Sequence, residues 1–487
     1  MYNQLLDYRI LGNSFGISSG SFLFTNLVLA NATEPYTNTL ATIKKNTQMK
    51  KNILILFIFT ISIQVGLSQT VDTLKLNNYF KSLDSNNKFM GSVALMKNGK
   101  IVYKNQIGYS DIETKQKPNE NTKYRIGSIS KTFTSVLIFK AIEERKLNLD
   151  MTLNNYFPNI KNSDSITIGN LLNHRSGIHN FTNEKEYLEY NTEPKSENEM
   201  LSIISKFDSD FKPNSKSEYS NSNYVLLSYI LEKVYNQTFL EILKEKITRP
   251  IKLKNTFFGD KINLKNNESN SYSYNGEWKK QTETDMSIPL GAGGIVSTPT
   301  DLLKFSEALF NYKIISKNSL SQMEKLEDNY GMGLFKMPFY DKYSFGHTGG
   351  IDGFSSVFGY FPEEKCAFAL TSNGTNYDNN EISIALLSVL FNKPFEIPSF
   401  KIYELKSEDL DKYLGIYSSP SFPLKITISK SGKVLTAQAT GQSAFNLEAI
   451  EKDKFEFKQA GIVLEFDTNN KQMTLKQGGG NYKLTKE

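Results

Sequence analysis

The sequence predicts an α/β (α+β) domain with a largely helical middle, followed by a small antiparallel all-β domain. Three observations predict it. Strand-like runs bracket the first part of the chain, at 92–103 and again at 353–361 and 366–371. Helical periodicity fills the interval between them, over 128–145 and around 166–173, 222–246 and 299–311. After a connector at 393–405 that carries Pro394 and Pro398, the pattern changes to short alternating runs. Strands at both ends with helices between describe an α/β layer structure with a helical insert.

Asn98-Gly99 sits between two β-rich runs, which is a strong hairpin signal. In 128–145, Ile129, Phe133, Val136, Leu137, Ile138, Phe139 and Ile142 cover most of a helical surface, so this helix should be buried on most sides. In 411–487 the runs Leu424–Ile428, Leu435–Ala439, Phe455–Phe457, Leu464–Phe466 and Met473–Leu475 alternate, with turn residues such as Ser431-Gly432 and Asn469-Asn470 between them. Short strands at regular spacing describe a small antiparallel barrel or sandwich.

The chain has 487 residues, 39% hydrophobic and 22% charged, enough for more than one buried core. Its formal net charge is +6, and the lysines are interspersed with acidic residues, which argues against nucleic acid as a partner. Cys366 is the only cysteine, so no internal disulfide forms. It lies in an apolar run and reads as a small buried residue of a strand. Of three histidines, His174, His179 and His347, no two form a His-x-x-x-His pair, and neither a metal site nor a cofactor is expected.

Residues 49–68 combine Met49-Lys-Lys, the apolar run Ile53 to Ile63 and the small-x-small end Gly66-Leu-Ser68. That is a secretory signal cleaved after Ser68, too short to span a bilayer comfortably. The expected organisation is therefore a non-native or disordered extension over 1–48, the signal at 49–68, a catalytic-type domain over 69–400 and the β domain over 405–487. Export places the mature chain in the periplasm first and outside the cell second. No stable membrane span is expected unless the signal stays uncleaved.

Three constellations carry chemistry. In Gly127-Ser128-Ile129-Ser130-Lys131, at the head of the buried helix, residues three apart share a face, so the Lys131 amine can meet the Ser128 hydroxyl. Burial would lower the amine's pKa and make it a base, and the free N–H groups of a helix start suit an oxyanion. Ser-x-x-Lys alone arises by chance about twice in such a chain; Ser85-x-x-Lys88, in a polar turn, is such a match. In Tyr219-Ser220-Asn221, a phenol beside a buried ammonium would have a depressed pKa and could act as general base. Asn221 offers an amide to a substrate carbonyl and to the lysine. Tyr36, Tyr103 and Tyr377 also begin Tyr-x-Asn, so this element too is weak alone. In Gly346-His347-Thr348-Gly349-Gly350, small residues on a strand allow close approach of a substrate backbone. The Gly350 N–H could be a second oxyanion donor beside that of Ser128.

In this order the three motifs resemble the serine β-lactamase and penicillin-binding protein superfamily, nearest the branch of class C β-lactamases, DD-carboxypeptidases, D-aminopeptidases and related esterases. Flanking stretches such as Leu171-Leu-Asn-His-Arg-Ser-Gly177 and Gly293-Gly-Ile-Val-Ser-Thr-Pro-Thr-Asp301 extend the likeness over about residues 75–390. The resemblance implies a β-lactamase/transpeptidase-like antiparallel sheet flanked by helices, with a helical subdomain. It implies a secreted serine hydrolase with Ser128 as nucleophile, Lys131 and Tyr219 as the proton-transfer pair, and Asn221, His347, Thr348 and Gly349 as substrate-binding residues. It leaves open which of Lys131 and Tyr219 takes the serine proton. Cell-wall-type D-amino-acid peptides (peptidoglycan-derived ones among them), β-lactams and small esters are the implied substrates. A binding or sensing protein that keeps the fold without turnover is the alternative.

His347 stands where many relatives carry lysine, and a neutral imidazole attracts a carboxylate less than an ammonium does. If His347 lies in the cleft, the rate should change between about pH 5.5 and 7.5, near an unperturbed imidazole pKa. His174 reads as a structural residue bonding a turn at a helix end, His179 likewise, and Trp278 as a surface loop residue. The loops Gly441–Ser443 and Gln477–Gly480 are candidates for a contact surface of the β domain.

Overall fold

The computed structural model describes residues 72–487 apart from 401, 402, 404, 421, 443, 458, 459, 478 and 479. The N-terminal extension and the signal segment lie outside the described residues, as do Ser443, Gly478 and Gly479 of the two candidate loops.

A six-stranded antiparallel sheet organises the first domain. Its strands are β1 (Phe89–Lys97), β2 (Lys100–Ile107), β3 (Phe335–Phe339), β4 (Lys342–Ile351), β5 (Phe354–Phe361) and β6 (Cys366–Thr375), in the order β2-β1-β6-β5-β4-β3. The β1–β2 turn is made by Asn98 and Gly99, both at positive φ (51° and 71°), the backbone a tight two-residue hairpin needs. Both faces of the sheet are covered. Val93, Leu95, Val357, Phe368 and Leu370 face helices α1 (Thr73–Ser85) and α5 (Asn379–Leu390), packing with Leu76, Phe80, Ile382 and Leu386. The alternate residues Ala94, Met96, Phe358, Tyr360, Ala367 and Ala369 face the larger core, built on α2 (Ser130–Glu143), α3 (Asn221–Tyr235) and α4 (Pro299–Phe310). Phe133 of α2 stacks on Phe305 of α4 with centroids 3.8 Å apart. Cys366 is buried in β6, as the apolar run around it predicts.

Helix α2 is buried from Ser130 to Phe139, as its apolar pattern requires. Its polar side chains are satisfied inside the core: Thr132 donates to Gly333 O (2.8 Å) and Thr134 to Gly291 O (2.7 Å). The helical pattern of 222–246 is not one helix. Asn236 at φ 50° ends α3, and Thr238 begins a separate turn of helix with Glu241 as its capping-box partner. Trp278 also differs from expectation: it lies in a short strand, Trp278–Lys280, paired with Tyr272–Tyr274, and its ring packs against Tyr274 at 4.9 Å.

The C-terminal strands close an eight-stranded barrel of β7 (Gly415–Ser419), β8 (Phe422–Ser431), β9 (Val434–Ala439), β10 (Phe445–Glu451), β11 (Lys454–Phe457), β12 (Ile462–Asp467), β13 (Gln472–Gln477) and β14 (Gly480–Lys486). Closure leaves no unpaired sheet edge. Ile426, Ile428, Leu435, Phe455, Phe466, Met473 and Leu484 fill the interior.

One buried ion pair ties the sheet to the segment before α2. Arg125 donates to Asp352 (2.9 Å) and Glu283 (3.1 Å), and to the carbonyls of Thr284 (2.9 Å) and Asp260 (3.0 Å). Both Arg125 and Asp352 side chains are 3% exposed. Asp352 sits in the β4–β5 turn, two residues past Gly350. Arg125→Met leaves that carboxylate buried without its cation and is expected to cost about 3–5 kcal/mol of stability, measured by urea unfolding.

Candidate active site

The three motifs converge where the start of α2, the start of α3 and strand β4 meet. Ser128 lies in a 3-10 turn, Gly127–Ile129, that runs directly into α2, so the nucleophile candidate precedes the α-helix by two residues. Ser128 is partly exposed, whereas Lys131, one turn on, is fully buried. Lys131 Nζ lies 3.1 Å from Ser128 Oγ, 2.7 Å from Asn221 Oδ1 and 2.7 Å from the carbonyl oxygen of Ala292. The Tyr219 and Tyr224 rings flank it, with centroids at 4.8 and 5.6 Å. Burial holds the Lys131 pKa well below the usual lysine range.

Tyr219 behaves differently from the sequence expectation. Burial pushes its phenol pKa up, and the hydrogen bond with Ser128 only partly opposes this. A depressed phenol pKa would need the neighbouring amine to be charged, and burial keeps that amine toward neutrality. His174 holds Tyr219 from behind. At φ 60° it closes the turn after helix Ile168–Leu172. Its carbonyl accepts from Glu218 N (2.9 Å), and its Nδ1 accepts from Ser220 N (3.2 Å). Its ring lies 4.5 Å from that of Tyr219. The structural reading of His174 thus gains a site-building role. His179 sits between Asp210 (2.9 Å) and Glu184 (3.0 Å), at the head of the loop behind Asn221.

His347 to Ile351 of β4 run past the end of β3, whose pairing stops at Gly346. His347 is buried, with Nδ1 2.5 Å from the carbonyl oxygen of Thr348 and its ring 4.4 Å from Phe335. Burial first, and then the neighbouring Lys131, push its pKa down to about 3. The imidazole is therefore neutral through the pH 5.5–7.5 window in which an ordinary histidine would titrate. His347→Asn is expected to leave the acid limb of kcat/KM in place. If Lys131 is the base, its lowered pKa gives an acid limb with activity present above it and lost as pH falls through it.

The glycines of β4 serve the protein's own backbone as well as any substrate. A Cβ on Gly349 would stand 2.0 Å from Ile126 O, and one on Gly127 would stand 2.7 Å from Gly350 N. The Ser128 turn thus lies directly on β4, which brings the Gly350 and Ser128 backbones together. The sequence reading assigned no role to Gly127, Asn180 and Thr182, although Gly127 opens the first motif. Asn221 Nδ2 donates to Thr182 Oγ1 (3.0 Å), and Asn221 N donates to Asn180 Oδ1 (2.9 Å). A glycine immediately before the serine was the one available signal. Among the described residues no group of three His, Cys, Asp or Glu side chains could hold a metal ion, and no helix is long and apolar enough to cross a membrane.

A sheet covered on both faces, with Ser-x-x-Lys, Tyr-x-Asn and His-Thr-Gly meeting at one end, defines the class. The Beta-lactamase family model matches residues 77–390, and the chain belongs to that family of serine hydrolases. Among its relatives is a teichoic acid D-alanine hydrolase of Staphylococcus aureus, 29% identical over 317 residues, covering 64% of this chain and 75% of that one. Two solved structures are also similar. The octameric penicillin-binding protein homologue from Pyrococcus abyssi (TM-score 0.62, 25% identity) covers 85% of this chain and 98% of its own. The D-amino acid amidase from Ochrobactrum anthropi SV3 complexed with L-phenylalanine (TM-score 0.58, 25% identity) covers 65% and 98%.

Proposed function

We propose that the chain is an exported hydrolase that forms an acyl-enzyme through Ser128 and releases D-amino acids, D-alanine first, from ester or amide linkage. The observation that carries the reading is the Lys131 environment. As a neutral amine, Lys131 donates its two hydrogens to Asn221 Oδ1 and Ala292 O, which leaves the lone pair for Ser128 Oγ, 3.1 Å away. Lys131 takes the serine proton, Oγ attacks the substrate carbonyl, and the N–H groups of Ser128 and Gly350 receive the oxyanion. The opposite directions of the two pKa shifts support Lys131 as the base and a protonated Tyr219 that passes a proton to the leaving group. Water then attacks the acyl-enzyme and Ser128 is restored.

The neutral His347 narrows the substrate. A site without a cation at this position offers little to a free carboxylate, which penicillins and peptides ending in D-alanine both carry. The names of the relatives, a D-alanine hydrolase and a D-amino acid amidase, agree with a D-aminoacyl group. The test compares D-alanyl and L-alanyl esters of one alcohol with an N-acyl-D-alanyl-D-alanine peptide. The D-ester should be turned over fastest and the peptide slowest. Faster turnover of the peptide, or of the L-ester, would refute the assignment. Export by residues 49–68 predicts a mature N-terminus at Gln69; a secreted product that retains Met49 contradicts it.

A further inference from the structure

The side chains around Asn221 form a hydrogen-bond chain whose polarity is set by a backbone group. The Asn221 backbone N–H can only donate, and it donates to Asn180 Oδ1 at 2.9 Å. That fixes which end of the Asn180 amide faces Asn221, and Asn180 Nδ2 accordingly donates to Asn183 Oδ1 at 2.9 Å. The same Asn180 oxygen accepts the Thr182 hydroxyl hydrogen at 3.2 Å. A hydroxyl has one hydrogen, so Thr182 Oγ1 meets Asn221 Nδ2 only as an acceptor, at 3.0 Å. Asn221 must then present its oxygen to Lys131 Nζ, 2.7 Å away.

The alternative orientation shows what this arrangement excludes. A reversed Asn221 amide would aim an N–H at Lys131 and tie up the lone pair that Ser128 needs. It would also press the amide oxygen against the lone pairs of Thr182. Asn180 and Thr182 lie on the loop that crosses the start of α3, and Ser222 Oγ holds that loop by donating to the carbonyl of His179 at 2.6 Å. Asn180 itself is buried.

We propose that Thr182 and Asn180 are positioning residues: they orient the Asn221 amide so that the free electron pair of Lys131 faces Ser128. The assignment rests on Lys131 being the base. It also leaves the second hydrogen of Asn221 Nδ2 available to a substrate carbonyl, so the same relay couples base orientation to substrate binding.

The test is the rate of Ser128 acylation by an activated D-alanyl ester as a function of pH, in wild type, Thr182→Val, Thr182→Ser and Lys131→Met. Thr182→Val should lower the plateau rate about tenfold, the scale of one hydrogen bond. It should also move the acid limb to lower pH, because the ammonium loses its assured acceptor and its neutral form is favoured. Thr182→Ser keeps the acceptor and should restore both. The 13Cε titration of Lys131 reads the same shift without turnover, and Thr182→Ala serves if the valine variant does not fold. A Thr182→Val or Thr182→Ala enzyme with wild-type plateau, limb and Lys131 titration overturns the relay while leaving Lys131 as base. A Lys131→Met enzyme that acylates at the wild-type rate overturns the lysine assignment, and the relay with it.

Discussion

Lys131→Met is expected to slow acylation of Ser128 by about 10²–10⁴-fold while the fold survives. Methionine matches the volume of the lysine stem, so the substitution opens no large cavity in a helix buried from Ser130 to Phe139. The protein loses one desolvated amine and leaves Asn221 Oδ1 and Ala292 O without a donor. Those unmet acceptors cost about 1–3 kcal/mol each, partly repaid because a buried polar head is gone. Acylation kinetics by mass spectrometry and thermal melting separate the two effects. A large loss of stability with little loss of rate per folded molecule would make Lys131 a structural residue.

Gly127→Ala is expected to damage both activity and stability. Gly127 sits at φ 50°, and a Cβ there would lie 2.7, 2.8 and 2.9 Å from the N, O and C atoms of Gly350. These are backbone atoms, so relief requires the Ser128 turn to move off β4. A displacement of about 1 Å between nucleophile and oxyanion donors costs on the order of 10²-fold in rate. The strained backbone adds about 1–3 kcal/mol of destabilisation. A Gly127→Ala enzyme with wild-type kcat/KM would show that Gly350 takes no part in the site.

Much of this was legible before the structure, for identifiable reasons. Asn98-Gly99 names its own turn type, and the apolar repeat of α2 could belong only to a buried helix. Ser128 and Lys131 meet because helical spacing alone brings them together, whereas Asn221 and His347 required the order of three motifs. The remainder depends on contacts between distant parts of the chain. Asn180 and Thr182 are polar loop residues until α3 arrives beside them, about forty positions later. Arg125 and Asp352 are 227 positions apart. The direction of the Tyr219 shift went the other way because desolvation outweighs a neighbouring amine that is itself driven toward neutrality. In the barrel, alternating apolar residues marked β8, β9, β12 and β13, each of which fully buries two, and β11, which buries Phe455. Strands β10 and β14, which fully bury only Leu447 and Leu484, were not picked out.

Whether Ser128 is the nucleophile of an acyl-enzyme is tested most directly by intact mass and peptide mapping after brief exposure to an activated D-alanyl ester. An alanyl increment is expected on the peptide that carries Ser128, decaying with hydrolysis and absent from Ser128→Ala. Turnover without such an adduct, or an adduct that persists in Ser128→Ala, would contradict it.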